Sequence, residues 1–237
     1  MAVEDRAVQL GVAALRFAGY VLGAGSCRMD GWDVVRGWRA ERVKPLGLFS
    51  KADGSKSPGS IRHKGKKLSK ILEAHQKFLS GHADAERADL AGADLSYANL
   101  KGVRLGYANL QGANLSHTDL RESSLTFADL SGAKLEHADI CKSDMTEARF
   151  PGADLSGAKL CGSELLRADF GNVSFRGADL SNVNFRGVNV KGANFQGANV
   201  TTTVFRETDL EGVDLSGLDL STALLPWDWK PFVEVKK

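Results

Sequence analysis

Cysteine, proline, tyrosine and methionine are all scarce here, with three cysteines, five prolines, three tyrosines and three methionines among 237 residues. An odd cysteine count at wide spacing is neither a disulfide framework nor a zinc-ligand pattern, and it favours a reducing, cytoplasmic setting. There is no phosphate-cradling glycine loop, no paired metal-ligand spacing and no recognisable nucleophile motif. These absences argue against an enzyme and against any cofactor or metal. Long apolar runs are missing too. The stretch Ala7 to Ala24 is interrupted by Gln9 and Arg16, too short and too polar to span a membrane. As an export signal it lacks a basic start, since Glu4 and Asp5 precede Arg6. The sequence Ala24-Gly25-Ser26-Cys27 places Ala24 where a lipoprotein cleavage site carries a larger aliphatic residue. No membrane attachment is expected.

Charge is present but unevenly spread. Residues 1 to 85 hold 15 Lys+Arg against 8 Asp+Glu, residues 86 to 225 hold 13 against 19, and the last twelve hold 3 against 2. A basic head therefore precedes an acidic body under a net charge of only +2.

The body repeats. Stepping by five from Leu90 through Leu95, Leu100, Leu130, Ile140, Met145, Phe150, Phe170, Val190 and Phe205 to Leu225 meets 28 positions, all apolar. Calling each of these position i, residue i−2 is small (Ala88, Ala93, Ser123, Thr203), i−1 is usually Asp or Asn, and i+1 and i+2 are polar or Gly. A helix needs an apolar period of 3.6 and a strand a period of 2, so neither fits. A period of five with one large and one small inward residue suits a short extended piece followed by a corner. Asx and Gly supply the chemistry of that corner. One column repeats at twenty: Gly92, Gly112, Gly132, Gly152, Gly192 and Gly212, broken only by Asn172. Four pentapeptides thus close one coil, and seven coils stacked at ~4.8 Å form a rod roughly 34 Å long. Each coil depends on its neighbours to cover its top and bottom.

The run Ala88-Asp89-Leu90-Ala91-Gly92-Ala93-Asp94-Leu95-Ser96 resembles the pentapeptide repeat family, and the likeness extends through about 140 residues with no break in register. The resemblance implies an all-β fold, a right-handed quadrilateral β-helix with i and i−2 inside. It implies a non-enzymatic bacterial scaffold that presents flat faces to a protein partner, with no direct nucleic-acid binding by the repeat. One branch of the family, the fluoroquinolone-resistance proteins, implies an alternative: an acidic DNA mimic that binds DNA gyrase. In that branch dimers form through the C-terminal end, so a homodimer through this end is an expectation here.

The four faces differ in outward charge. Summing i−1, i+1 and i+2, the face beginning at Leu90 totals −3, the next −2, the third −1 and the fourth 0. Asp129 on the first face and Asp154 on the second are the carboxylates a mimic would use. On the fourth face Tyr107 and Phe127 form an exposed aromatic pair continued by Glu147 and Arg167, the candidate partner-binding patch. Tyr97, His117 and His137 make a second column twenty apart, with no third metal ligand beside the histidines. Cys141 and Cys161 share a column at i+1, but parallel Cβ vectors are poor for bridging, so two free thiols are expected. Three glycosylation-like triplets beginning at Asn114, Asn172 and Asn199 are generated by the repeat itself.

Both ends of such a rod need covering. Upstream, Leu68, Ile71, Leu72, His75, Phe78 and Leu79 recur at helical spacing before Gly81, so residues 64–82 are expected to form an amphipathic capping helix with a solvated face of lysines. Downstream of the repeat at 83–225, residues 226–237 carry Trp227, Trp229 and Phe232 between prolines, an aromatic cap and tail. Residues 1–63 match no recognisable domain. Trp32 and Trp38 argue for packing, and Ser50 to Ser60 reads as a linker.

Overall fold

The computed structural model describes residues 55–229. The apolar stretch Ala7 to Ala24, Cys27, Trp32, Trp38 and Phe232 lie outside the described residues.

From Asp89 onward, residue i−1 of most pentapeptides pairs in parallel with the residue twenty positions later: Asp89 with Asn109, Asp94 with Asn114, Asn99 with Asp119, Arg104 with Ser124. Each such rung is two backbone bonds. Leu90 N donates to Asn109 O at 2.7 Å, and Asn109 N donates to Ala88 O at 2.9 Å. Between rungs the chain turns. Ala93 N donates to Leu90 O at 3.0 Å, and the third residue of the turn, Gly92, has φ of +66°, the left-handed value a type II turn requires. The Asx at i−1 fixes the corner from the side: Asp129 Oδ1 accepts from Ser131 N at 3.0 Å. Sequence period, turn and rung are therefore one device.

The i column is the core, and Leu90, Leu130, Phe150, Phe185 and Phe205 are fully buried. Hydroxyls in the small i−2 column do not go unsatisfied. Thr118 Oγ1 donates to Leu95 O at 2.9 Å and Ser143 Oγ to Leu120 O at 2.7 Å, each reaching a carbonyl of the coil before. Phenylalanines fill the later coils as stacked pairs, Phe150 on Phe170, Phe175 on Phe195 and Phe185 on Phe205, with centroids 4.6, 5.1 and 5.3 Å apart. The ladder is interrupted once within this stack. Asp144 pairs with Glu164 and Asn184 with Val204, but no bridge joins Glu164 to Asn184. Phe185 enters at this level, edge-on to Phe175 and Phe170, and the added ring volume has to be accommodated.

At the start of the ladder, Lys56 N donates to Tyr97 O and Asn99 N to Lys56 O, so residue 56 adds one rung ahead of the first coil. A hairpin follows, β1 (Arg62–His63) and β2 (Lys66–Lys67), joined by Lys64 and Gly65 at φ of +47° and +78°. Positive φ at both central residues is the two-residue turn that matches strand twist. Helix α1 (Leu68–Leu79) comes next. It ends where His82 N donates to Lys77 O and Gly81 N to Phe78 O, with Gly81 at φ of +78°, a Schellman stop. Leu68 and Leu72 are buried in the same cluster as Leu90 and Leu95. The lysines of this segment are engaged with the first coil: Lys64 pairs with Asp89, Lys66 with Glu86 and Lys56 with Asp94.

His75 is fully buried on α1, and its Nδ1 accepts the Ala88 N–H at 3.0 Å. The proton of the neutral ring must then sit on Nε2, which has no partner. Burial lowers the pKa of the ring. The Gly106 carbonyl favours the charged form but makes no hydrogen bond to it, while Arg87 and Arg104 oppose it. A folded pKa below the usual ~6.5 means that the unfolded chain takes up this proton first. The contribution of His75 is complete above that value and falls as pH drops through it toward the folded pKa. A melting temperature that declines between about pH 7 and 5, with a shallower slope in His75→Gln, is the expected result of thermal scans across pH.

Among the described residues, no helix is long and apolar enough to cross a membrane.

Candidate protein-interaction surface

Position i+2 is a corner of the rod, and from Gly92 to Gly217 its backbone is left-handed whatever residue it holds. Tyr97, Tyr107, His117, Phe127 and His137 sit at φ between 56° and 64°. A bulky residue in this region costs on the order of 1 kcal/mol relative to glycine. Glycine occupies the equivalent corner at Gly92, Gly112 and Gly132, so five aromatic rings stand at places where the fold by itself favours none.

They stack into two ladders. Tyr107 lies on Phe127 with ring centroids 4.8 Å apart and planes 3° from parallel. Tyr97 lies on His117 at 4.7 Å, and His117 on His137 at 5.2 Å. The second ladder ends by leaning over Gly157, where a Cβ would come within 2.4 Å of His137 Nδ1. No group of three or more metal-ligating side chains occurs among the described residues. Tyr97 and Tyr107 remain about half exposed, at 51% and 47%.

The column below Phe127 changes from apolar to charged. Glu147 follows and pairs with Arg167, Nη1 to Oε1 at 3.5 Å. Thus the four fourth-face candidates fall in one line, an aromatic pair and then an ion pair. Sequence reasoning missed Leu166, which is 58% exposed beside Arg167 on this face. The signal was available, since Leu166 is the one large aliphatic side chain in the outward i+1 column between Ala91 and Ser221.

Asp129 and Asp154 are not free carboxylates. Asp129 accepts from Gln111 Nε2 at 2.6 Å and from Ser131 N and Oγ, and lies 3.7 Å from Arg149. Burial alone would raise its pKa, but these hydrogen bonds and Arg149 hold it below the usual carboxylate value. Asp154 accepts from both the backbone N–H and the hydroxyl of Ser156.

The free thiols expected at Cys141 and Cys161 are overturned: the two form a disulfide, with Cα atoms 4.7 Å apart. The rung spacing itself lies within the range a disulfide spans. Parallel Cβ vectors were the wrong criterion for a corner position, where side chains have room to rotate toward each other. The bond closes a loop of one coil, worth about 3 kcal/mol in the chain-entropy account.

The family described as Pentapeptide repeats matches eight copies between residues 81 and 225, more than half the chain. The chain belongs to the pentapeptide repeat family, whose fold is the right-handed quadrilateral β-helix. Solved structures of similar proteins include a pentapeptide repeat protein of the Arabidopsis thaliana thylakoid lumen. It is 26% identical, with 52% of this chain and 75% of that one covered and a TM-score of 0.35. HetL of the cyanobacterium Nostoc, involved in heterocyst differentiation regulation, is 26% identical over 64% and 90% of the two chains, with a TM-score of 0.33. QnrB1, a plasmid-mediated fluoroquinolone resistance protein, is 21% identical over 59% and 84%, with a TM-score of 0.36. Among curated proteins no significant match was found.

Proposed function

We propose that this chain is a non-enzymatic interaction scaffold, a rod of seven coils covered at its N-terminal end by α1, that binds a protein partner through its fourth face. The observation that carries the reading is the Tyr107–Phe127 ladder, with Tyr107 about half exposed and Phe127 partly covered, held at left-handed backbone where glycine would be cheaper. Apolar rings placed at such cost on a polar surface suit a contact that removes them from water. The carboxylates, by contrast, are occupied in turns, as Asp129 and Asp154 illustrate.

The distribution of charge along the rod weighs against a DNA mimic. Duplex DNA carries one negative charge per ~1.7 Å. From Glu86 to Arg206 the repeat holds 13 basic and 14 acidic residues, so most of its length is close to neutral. A cytoplasmic setting is consistent with this scaffold only while Cys141 and Cys161 are reduced, since a lasting bond between them needs an oxidising compartment.

The test is affinity capture from a lysate of the source cells with the full chain, alongside Tyr107→Ala/Phe127→Ala. A protein retained by the parent and lost by the double variant, at unchanged melting temperature, is the expected outcome. Retention by both would remove the fourth face from consideration. Protection of gyrase supercoiling at low micromolar protein would replace the scaffold with the mimic.

A further inference from the structure

The acidity of the repeat is concentrated at one end. Between Arg206 and Lys230 there is no lysine or arginine, while Glu207, Asp209, Glu211, Asp214, Asp219 and Asp228 all fall in this interval. Glu207 is neutralised by Arg186. None of the other five makes an ion pair with a described residue.

Turn chemistry does not explain these charges. In the coil before, the same three columns hold Asn189, Asn194 and Asn199, whose Oδ1 atoms accept from Lys191 N, Gln196 N and Thr201 N at 3.1, 2.9 and 3.1 Å. Asp209, Asp214 and Asp219 accept the equivalent bonds from Glu211, Ser216 and Ser221 at 2.9, 2.8 and 3.0 Å. The corner is equally well made by an amide, so it does not by itself require the charge.

Two further features occur at the same place. The rungs stop: no bridge joins Asn189 to Asp209, Asn194 to Asp214 or Asn199 to Asp219, and the last coil rejoins the stack only where Val204 pairs with Leu224. The N–H groups of Leu210, Leu215 and Leu220, whose equivalents in earlier coils donate to the next coil, have no backbone acceptor among the described residues. In addition, a cavity of about 1210 Å³ opens here, lined by Leu210, Val213, Leu215, Leu218, Leu220 and Trp229.

We propose that this end of the rod is a docking site for an extended cationic segment of a partner protein, one that alternates basic and apolar side chains. Such a segment adds as a strand to this edge, its main chain meeting the N–H groups that have no acceptor among the described residues. Its side chains point alternately to opposite sides, so one set enters the leucine-lined cavity while the other reaches the carboxylates. Charge complementarity selects the cation, and the cavity selects the apolar residue. This end is separate from the Tyr107–Phe127 face, so either surface can fail without the other.

The probe is a blocked heptapeptide of alternating lysine and leucine, titrated by fluorescence anisotropy against the full chain in about 0.1 M salt. The key variant is Asp209→Asn/Asp214→Asn/Asp219→Asn, which restores the residue type of the preceding coil and keeps the turns. It should melt at the parent temperature and bind the peptide about tenfold more weakly. Asp129→Asn/Asp154→Asn, which removes the same kind of charge from the rod's side, should bind like the parent, and a lysine–serine peptide should bind poorly. Equal weakening by both variants, or no binding by the parent, would overturn the proposal. So would a parent dimer whose dissociation by dilution restores peptide binding, since that assigns the end to a second copy. Tighter binding after deletion of residues 230–237 would assign the cavity to the chain's own tail and equally overturn it.

Discussion

Leu130→Lys should unfold the middle of the rod. Leu130 has no exposure and lies between coils on both sides, so the substitution loses roughly 2–3 kcal/mol of apolar burial. It also places an ammonium where no carboxylate can meet it, at a further cost of several kcal/mol. Because each coil is stabilised by its neighbours, a defect at this level weakens the coils above and below together. The expected reading is a fall in melting temperature of more than about 10 °C by circular dichroism, at roughly 2–4 °C per kcal/mol for a chain of this size. Ser131→Lys, one residue on, should lie within about 0.5 kcal/mol of the parent. It loses only a hydroxyl bond to Asp129 and keeps the backbone bond to the same carboxylate. Equal effects at the two positions would mean that the inward register has been assigned wrongly.

Removing residues 1–80 should produce the second large effect, on solubility more than on melting. Three separate things are lost: the rung of Lys56 on Tyr97 and Asn99, the apolar cover of Leu68 and Leu72, and the acceptor that His75 provides to Ala88 N–H. What remains is a coil with open backbone groups around exposed leucines, a template for pairing with a second copy. Light scattering that grows with concentration is the expected result for a chain beginning at Gly81. A monodisperse monomer from that truncation would show that the first coil tolerates exposure.

The repeat was legible because the fold has so few independent choices. Once Leu90 is inward and the period is five, the position of Phe205 follows, and with it the turn at every corner. The stop of α1 was legible at Gly81 for a similarly local reason, because the Schellman turn needs left-handed backbone. Features that depend on neighbouring coils were not. The Cys141–Cys161 bond was judged from ideal Cβ directions, and a corner departs from them. The interruption between Glu164 and Asn184, at the level where Phe185 meets Phe170 and Phe175 edge-on, depends on how successive coils stack, which the sequence period does not display. The lysines near β2 were read as a solvated face of a helix, whereas Lys64 and Lys66 reach carboxylates some twenty residues on. Summing charge by face also hid its gradient. The total of −3 on the first face includes Asp209, which belongs with Asp214 and Asp219 at the end of the rod. The candidate site was half visible: the Tyr107–Phe127 pair could be found by counting, and Leu166 could have been found in the same way from its outward i+1 position.

The interrupted rung and the disulfide have a joint mechanical consequence. A rod pulled along its axis shares the load among four ladders of backbone bonds at most levels of the stack. At the level of Glu164 and Asn184 it has three. One coil earlier, Cys141 and Cys161 add a covalent strut across the adjacent joint. The stiffest joint and a compliant one therefore lie on either side of a single coil. Under tension the last coil, held by the single Val204–Leu224 rung, should part first, and the next joint to open should be that between Glu164 and Asn184, with the coils before it leaving as one body for as long as the sulfurs stay joined.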